Sequence, residues 1–598
     1  MTDSTFNYSD LIKEAFIDPI RNVTVIDDEY PTLPSLIDLH YCSDQKPCDV
    51  TYKPVNVERL KKIITMCHST HKWSIDVFNG KSPNLGAGDD EVPAHIHHSD
   101  LIILDYHLDG EPEVDDGRRA RAIIRALDNN KHYNTILVHT KGYKGDIESV
   151  FIEILKEFTH IESTHPLNPS EDTITKMEDW MDENEDGRLY PWISNELRLL
   201  SVLPLYFSFN PEQYLPLMNP NNPLKDFRND VVGLAETLGM ETNELVKWRL
   251  YDFIKKHVPV NSSSRSDFSW EWDDDTNYIS TGKTFISVIK KKPDDPQDNL
   301  VGDLEVALKK HNASPMHLLM AKMRYELDEK GIEQAMKIIA NRPAQAGWLY
   351  NLLQNSASDA AHDKAINLHW EQLAMASRQE LRNFSKKIIQ SANCNNAESN
   401  SAFVKSFFKE CMGNKDLALG HINAFSCSMP VSNNHLITGT VLEIDDERWV
   451  CVTPACDLVP GQKVEHWQSR IGKNYLVFKA IKITAIALAT ANKNANTNDY
   501  IFLNIDGSPQ AFSVGNGSPT WDTFFAADLG AYDSNNIVSL FAVREDIQNQ
   551  EKPLVMKKLP AKAIAELRYE YALNLLHKFG ASQTRVGLDF QNKDSMWP

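Results

Sequence analysis

The chain has 598 residues, enough for about three or four domains at roughly 150 residues each. Hydrophobic residues make up 42% and charged residues 24%, a balance that excludes a wholly disordered chain. With 62 Lys and Arg against 83 Asp and Glu, the net charge of -21 argues against nonspecific nucleic-acid binding by the whole surface, although one basic face is compatible with it.

The first element is a β-branched run in "NVTVIDDEYP". Val23, Val25 and Ile26 read as a strand buried on both faces, with Asp27, Asp28 and Glu29 at its carboxyl end. That end of an open α/β sheet is where ligands bind, and a divalent cation, most simply Mg2+, would relieve the repulsion among the acids. A helix near 55–70 and a strand "WSIDVF" follow. In "DLIILDYHLDG" the apolar run Leu101–Leu104 again ends on a carboxylate, Asp105. The helix "DDGRRARAIIRALDNN" has Asp115 or Asp116 as a cap and Ala120, Ile123, Ile124 and Leu127 on one face. The strand "NTILVHT" ends on the hydroxyl of Thr140, and Ile147, Val150, Phe151, Ile154, Leu155 and Phe158 share a face of the next helix.

An acid pair, a lone Asp and a lone hydroxyl at successive strand ends resemble the receiver domain of bacterial two-component signalling. The resemblance implies a flavodoxin-like, doubly wound fold. It also implies that Asp27, Asp28 and Asp105 hold Mg2+ with the backbone carbonyl of His107, that Asp105 is the phosphoacceptor, and that Thr140 bonds the phosphoryl group. Receivers place a lysine at the end of the fifth strand, and no strand-lysine-proline run directly follows Thr140. Lys156 is the candidate by distance along the chain, with Lys141 and Lys144 as candidates by proximity to Thr140. "FIDPIRNVTVIDDEYPT" together with the late "TPACDL" is similar to large bacterial receiver-domain proteins of phage-defence loci. That likeness implies a histidine kinase or a GHKL-type ATPase as partner.

The expected architecture is multidomain, α/β plus α plus β. The receiver spans 1–160, a mainly helical region spans 161–425 with a short β segment near 268–290, and a β-rich domain with a C-terminal helix, "PAKAIAELRYEYALNLLHKFGAS", spans 426–598. Breaks of Gly and Pro among the late apolar runs mark that last region. No apolar run reaches about 18 residues, so no membrane span is expected. The N-terminus has no signal-peptide pattern and the eight cysteines suit reduced thiols, which together point to the cytoplasm.

Other motifs carry less. "STGKT" has Asn277 where a phosphate-binding loop needs glycine, and "DENEDG" has Ile193 where a calcium loop needs Glu. His40, Cys42, Cys48, Cys67, His68, His71 and the "HIHH" of 95–98 fit no standard zinc spacing. "GLAETLGMETNELVKW" places Ala235, Gly239, Leu245 and Trp248 as a helix-turn-helix does. A DNA-binding regulator acting through 233–249 is therefore an alternative, kept alive by Lys247 and Arg249 and opposed by Glu241 and Glu244. A toxin-like effector using Cys456 and Asp457 of "WVCVTPACDLVPG" is another, with His435 or His466 as the base it would need, although an adjacent carboxylate activates a thiol poorly.

Overall fold

The computed structural model describes residues 7–41, 52–80, 96–159, 169–184, 195–208, 224–257, 268–273, 276–292, 299–354, 359–392, 396–459, 469–515, 519–545 and 554–584. The chain divides into two compact units, 1–340 with 370–393 and 341–369 with 394–598.

The first unit is built on one seven-stranded sheet. Strands β1 (Asn22–Ile26), β2 (Ser74–Phe78), β3 (Leu101–Leu104) and β4 (Asn134–Thr140) are followed, far along the chain, by β5 (Ser269–Trp272), β6 (Asn277–Ser280) and β7 (Thr284–Lys290). Their order in space is β2-β1-β3-β4-β7-β6-β5. The first five are parallel to their neighbours, and β6 and β5 are added antiparallel at one edge. With β7 as the fifth strand, the parallel part has the flavodoxin-like order. The first domain therefore does not close at residue 160, because its fifth strand arrives only at Thr284.

Both faces of the central strands are covered, which is why β3 and most of β4 are apolar on both sides. Ile102, Leu104, Ile136, Val138, Ile286 and Val288 pack on one side with the helices α4 (Arg118–Asp128) and α5 (Glu148–Phe158). The predicted apolar faces of α4 and α5 are the faces they bury. Asp115 and Asp116 accept the backbone N–H groups of Gly117 and Arg118 just ahead of α4. On the other side Val23, Val25, Leu101, Ile103, Leu137 and Phe285 meet α1 (Tyr8–Phe16), α3 (Pro54–Thr65) and α10 (Leu300–His311). After Tyr30 the chain enters α2 (Leu33–Tyr41).

Between β4 and β7 the chain inserts α5, then α6 (Glu171–Glu183), α7 (Glu196–Ser208), α8 (Arg228–Thr237), α9 (Thr242–His257) and the strands β5 and β6. Met177, Trp180, Leu199, Leu200, Val231, Leu234 and Leu245 of these helices join the same apolar cluster as α4 and α5. The "STGKT" stretch is the turn from β6 to β7, tied down by a hydrogen bond from Thr281 Oγ1 to Asp128 Oδ1 at 2.5 Å. "DENEDG" begins at the end of α6, and its residues 185–187 lie outside the described residues.

In the second unit, β9 (Thr440–Ile444), β10 (Glu447–Cys451), β11 (Leu476–Ile486), β14 (Trp521–Ala526), β15 (Ile537–Glu545) and β16 (Leu554–Leu567) pair antiparallel in a ring that β10 closes onto β11, while β8 (Ser428–Met429) pairs with β16 and the hairpin of β12 (Tyr500–Ile505) and β13 (Ser508–Ser513) pairs with β11. Leu442, Trp449, Phe478, Phe524, Leu540 and Ala563 belong to one core of this ring. "PAKAIAEL" is strand and not the start of the last helix, since Ala561, Ala563, Ala565 and Leu567 are buried with period two. The helix proper runs Tyr569–Gln583.

Candidate functional site

The register of the sheet brings the acids together. Ile26 of β1 lies opposite Leu104 of β3, so Asp27 and Asp105 leave adjacent parallel strands side by side. Their backbones stay in the ladder, Asp27 N–H donating to the carbonyl of Phe78 and Asp105 N–H to that of Ile26. Asp27, Asp28 and Asp105 each offer an oxygen, and these oxygens lie within 4.8 Å of one another. Asp27 and Asp105 are buried, while Asp28 is half-buried.

The basic residue at this cluster is Lys291. Its Nζ lies 2.7 Å from Asp27 Oδ2 and 2.5 Å from Asp105 Oδ2, and its side chain is 2% exposed. β7 delivers it, because Thr140 pairs with Lys290 across β4 and β7 and the N–H of Lys291 then donates to the carbonyl of Thr140 at 2.7 Å. Lys156 is elsewhere, on α5, with its ammonium 2.8 Å from Glu196 and 3.3 Å from Glu153. Lys144 lies in the turn after Gly142, with φ of +52°. The signal for Lys291 stood in the sequence: an apolar run, Phe285–Ile289, then three lysines and a proline. The 143 residues between Thr140 and Thr284 separate it from the strand it pairs with.

Burial pushes the carboxyls of Asp27 and Asp105 upward, against the pull of Lys291. Burial also works against the charged form of Lys291, but Asp105 and Asp27 outweigh it and hold the ammonium protonated. Asp28 is pushed up to about 6 by burial and by its neighbours Asp27 and Glu29. Glu29 goes the other way: burial alone would raise it, but Lys141, Lys291 and Lys53 bring it down to about 2. Lys141 and Lys53 reach Glu29 at 2.9 and 3.2 Å across the mouth of the site.

Thr140 is fully buried at the end of β4. Its Oγ1 accepts the Gly142 N–H at 3.2 Å and lies 3.3 Å from Nδ1 of His107. Gly142 has φ of +70°, and a Cβ there would come within 2.4 Å of the Asp146 carbonyl oxygen, so the turn that holds Thr140 requires glycine. The ring of His107 is itself buried beside Asp105, and burial lowers its pKa.

Asp28, Glu29, Asp105, His107, Gly110, Glu111, Pro112 and Lys141 line an open pocket of about 130 Å³. That is well below the roughly 300–1,000 Å³ of pockets for drug-sized ligands, so it suits an ion with a small oxyanion and not a nucleotide. Asp28 Oδ1 and Asp105 Oδ1 are buried without a hydrogen-bond partner among the described residues. Two orphaned hard oxygens beside a third acid are a donor set that fits Mg2+.

Residues 19–189 match the family described as response receiver domain. The chain carries a response receiver domain. The match ends before β7, whereas the sheet takes its fifth strand and its lysine from 284–291. No curated protein and no solved structure matches the chain.

The rival sites look different. Helices α8 and α9 form the pair expected for 233–249, with Leu245 and Trp248 buried, but Lys247 is engaged by Glu244, and Arg249 is buried and paired with Asp252 at 3.1 Å. Cys456 is exposed and donates to Asp457 Oδ1 at 3.4 Å, and that carboxylate raises the thiol. His435 lies 3.1 Å from Asn434 Oδ1 through its Nδ1, and His466 falls outside the described residues. Of the zinc candidates, Cys67 is buried and His71 stacks on Trp73, whereas Cys42, Cys48 and His95 lie outside the described residues. Among the described residues, the acid triad is the group placed to share an ion. No helix there is long and apolar enough to cross a membrane.

Proposed function

We propose that the protein is a cytoplasmic signal-transduction protein whose receiver takes a phosphoryl group on Asp105. The single observation that carries this reading is the Lys291 ammonium shared between Asp27 and Asp105 beside the unpartnered oxygens of Asp28 and Asp105. In this reading Asp27, Asp28, Asp105 and the carbonyl of His107 hold Mg2+, which supplies positive charge for the phosphoryl oxygens. A carboxylate oxygen of Asp105 forms the new bond to phosphorus as the donor's bond to phosphorus breaks. Lys291, already protonated, then exchanges its contact with Asp105 for a phosphoryl oxygen, and Thr140 donates its hydroxyl proton to another.

The phosphoryl donor is a histidine kinase or a GHKL-type ATPase, and the setting is bacterial stress or phage defence. These follow from the likeness of the sequence to receiver proteins of such loci. The output runs through the segment between β4 and β7, since it starts at Thr140 and leads into β7, the strand that Lys291 follows. DNA binding by α8 and α9 is not favoured, because both cations it would use are occupied.

The test is intact-mass measurement after incubation with a small phosphodonor and Mg2+. One base-labile phosphoryl group is expected, absent in Asp105→Asn. An unmodified wild-type protein, under conditions that modify an ordinary receiver, rejects phosphoacceptance and leaves the acids as a docking surface.

A further inference from the structure

After α10 the chain forms two long helices, α11 (Pro315–Ala340) and α13 (Asp359–Ser391), with α12 (Arg342–Gln354) between them in sequence. One end of each long helix is seated on the receiver. Leu318 of α11 and Phe384 and Ile388 of α13 are buried in the apolar cluster of α1 and α10, and Lys322 and Lys387 reach Glu14 of α1 at 3.4 and 2.8 Å. The two helices run antiparallel there, since Lys322 Nζ lies 5.8 Å from the ring centre of Phe384 and Lys330 Nζ 3.8 Å from Glu380.

At roughly 3.6 residues per turn, the face of α13 that holds Phe384 and Ile388 continues through Ser377 and Leu373 to Trp370 and Ile366. The face of α11 that holds Leu318 continues through Tyr325 to Ile332 and Met336, with Ile339 beside it. Both faces leave the core as they go. Ile332 is 74% exposed and Trp370 57%, and Met336, Ile339 and Ile366 are also more than half exposed. α12 has no buried residue although it carries Trp348, Leu349 and Leu353, and a helix of 13 residues without a packed face is marginal in water. An edge-on contact of Trp348 with His369 at 5.9 Å ties it to α13.

The five exposed side chains of the long helices offer on the order of 500–600 Å² of apolar surface per chain, and those of α12 add roughly 300 Å². The sum matches the roughly 800 Å² that each partner brings to a standard interface, whereas the largest patch of a typical monomer stays within about 300–600 Å². Charge narrows the choice of occupant. Between Ile332 and Trp370 the acids Glu333, Asp359 and Asp363 are matched by Lys337, Arg342 and Lys364, a balance of zero in a chain whose net charge is -21. A strongly charged partner finds no complement on such a segment, while a second copy brings an equally neutral one. We infer that α11, α12 and the first half of α13 are the interface for a second copy of this chain, the two pairs of long helices packing together as a four-helix assembly about a twofold axis. Because α11 and α13 are seated on α1, this pairing holds two receivers in one particle. It uses no residue of the sheet and does not depend on Asp105 taking a phosphoryl group.

The experiment is sedimentation of the full chain over a concentration series, with hydrogen exchange at both ends of the series. A species of twice the chain mass is expected at micromolar concentration, with protection of residues 332–339, 342–354 and 366–373 that rises as it forms. Met336→Glu combined with Trp370→Glu should weaken the association about a hundredfold or more, since buried apolar anchors carry most of such binding energy. Both side chains are exposed in the single chain, so the variant loses no core contact. Ile332→Lys combined with Ile339→Lys, of the opposite charge, should do the same. Leu554→Glu combined with Met556→Glu, at exposed apolar positions of β16, should leave the association within about twofold of wild type. A chain that stays single throughout the series overturns the inference, and so does a pair that survives both helix variants or is lost equally in the β16 variant. Protection of 342–354 in the single chain overturns it as well, because α12 is then covered by its own chain.

Discussion

Asp27, Asp28 and Asp105 bring more negative charge into a confined space than the one ammonium of Lys291 balances. Anything that neutralises them in the folded state alone stabilises that state by mass action, about 2.7 kcal/mol at a hundredfold excess over Kd. Mg2+ is accordingly expected to raise Tm by several degrees in thermal melts, and Asp27→Asn combined with Asp28→Asn should abolish the rise. A persisting rise in the double variant would place the ion elsewhere. Lys291→Gln tests the balance from the other side. Removing one partner of a buried ion pair costs about 3–5 kcal/mol because the other charge is left uncompensated. Here the loss should be of that order without Mg2+ and clearly smaller with it, since the ion takes over part of the neutralisation. Urea unfolding with and without Mg2+ checks this, and equal losses in both would show that Lys291 acts through packing and not through charge.

At the scale of the elements, β7 completes both the sheet and the site. Phe285 enters one apolar cluster, Ile286 and Val288 the other, and Lys291 the acids. A fragment ending at residue 189, where the family match stops, leaves the edge of β4 unpaired and lacks the lysine. It should show neither cooperative unfolding nor a Mg2+ response; a cooperative, Mg2+-responsive fragment would make the fifth strand dispensable. Behind β7, His311 at the end of α10 packs on Tyr278 at 4.9 Å and Phe285 at 5.6 Å, and burial lowers its pKa from 6.5 to about 4. The unfolded chain therefore takes up this proton at higher pH than the folded one. The neutral ring's contribution is complete above pH 6.5 and is lost as pH falls towards 4, worth up to about 3 kcal/mol. His311→Phe should flatten that part of the Tm-against-pH curve, and an unchanged acid slope would assign the sensitivity to other groups. The strand ends carrying Asp27, Asp105 and Thr140 were legible because each is an apolar run stopped by one polar residue, a local pattern. Lys291 was not, because parallel pairing of β4 with β7 is a long-range fact that no local period encodes. "PAKAIAEL" was misread as helix for a related reason: its alanines suit a helix, and only pairing with β9 and β15 makes their alternation decisive.

For the whole molecule, the place of the insertion in the chain matters more than its composition. Everything from Lys141 to Lys283 is strung between the residue that would donate a hydroxyl to the phosphoryl group and the strand whose last turn carries the ammonium. A shift at either end has to be absorbed by helices whose apolar residues already pack in the cluster of β3, β4 and β7. Packed cores respond by switching between arrangements and not by stretching, so a change of partner for Lys291 should register across the insertion. Beryllium fluoride with Mg2+, a stand-in for the phosphoryl group, should therefore alter hydrogen exchange in α5, in α9 and in the β5–β6 edge. Lys291→Gln should remove the response at β5 and β6, because the ammonium no longer pulls on β7. Thr140→Ala should weaken the response in α5, because the Thr140 hydroxyl holds the turn at Gly142 that leads to this helix, while leaving the Mg2+ shift in Tm near wild type. Protection changes confined to the loops that carry Asp28 and Glu111, with α9 and β5–β6 silent, would mean that the insertion is a structural appendage and that the signal leaves the receiver by another face.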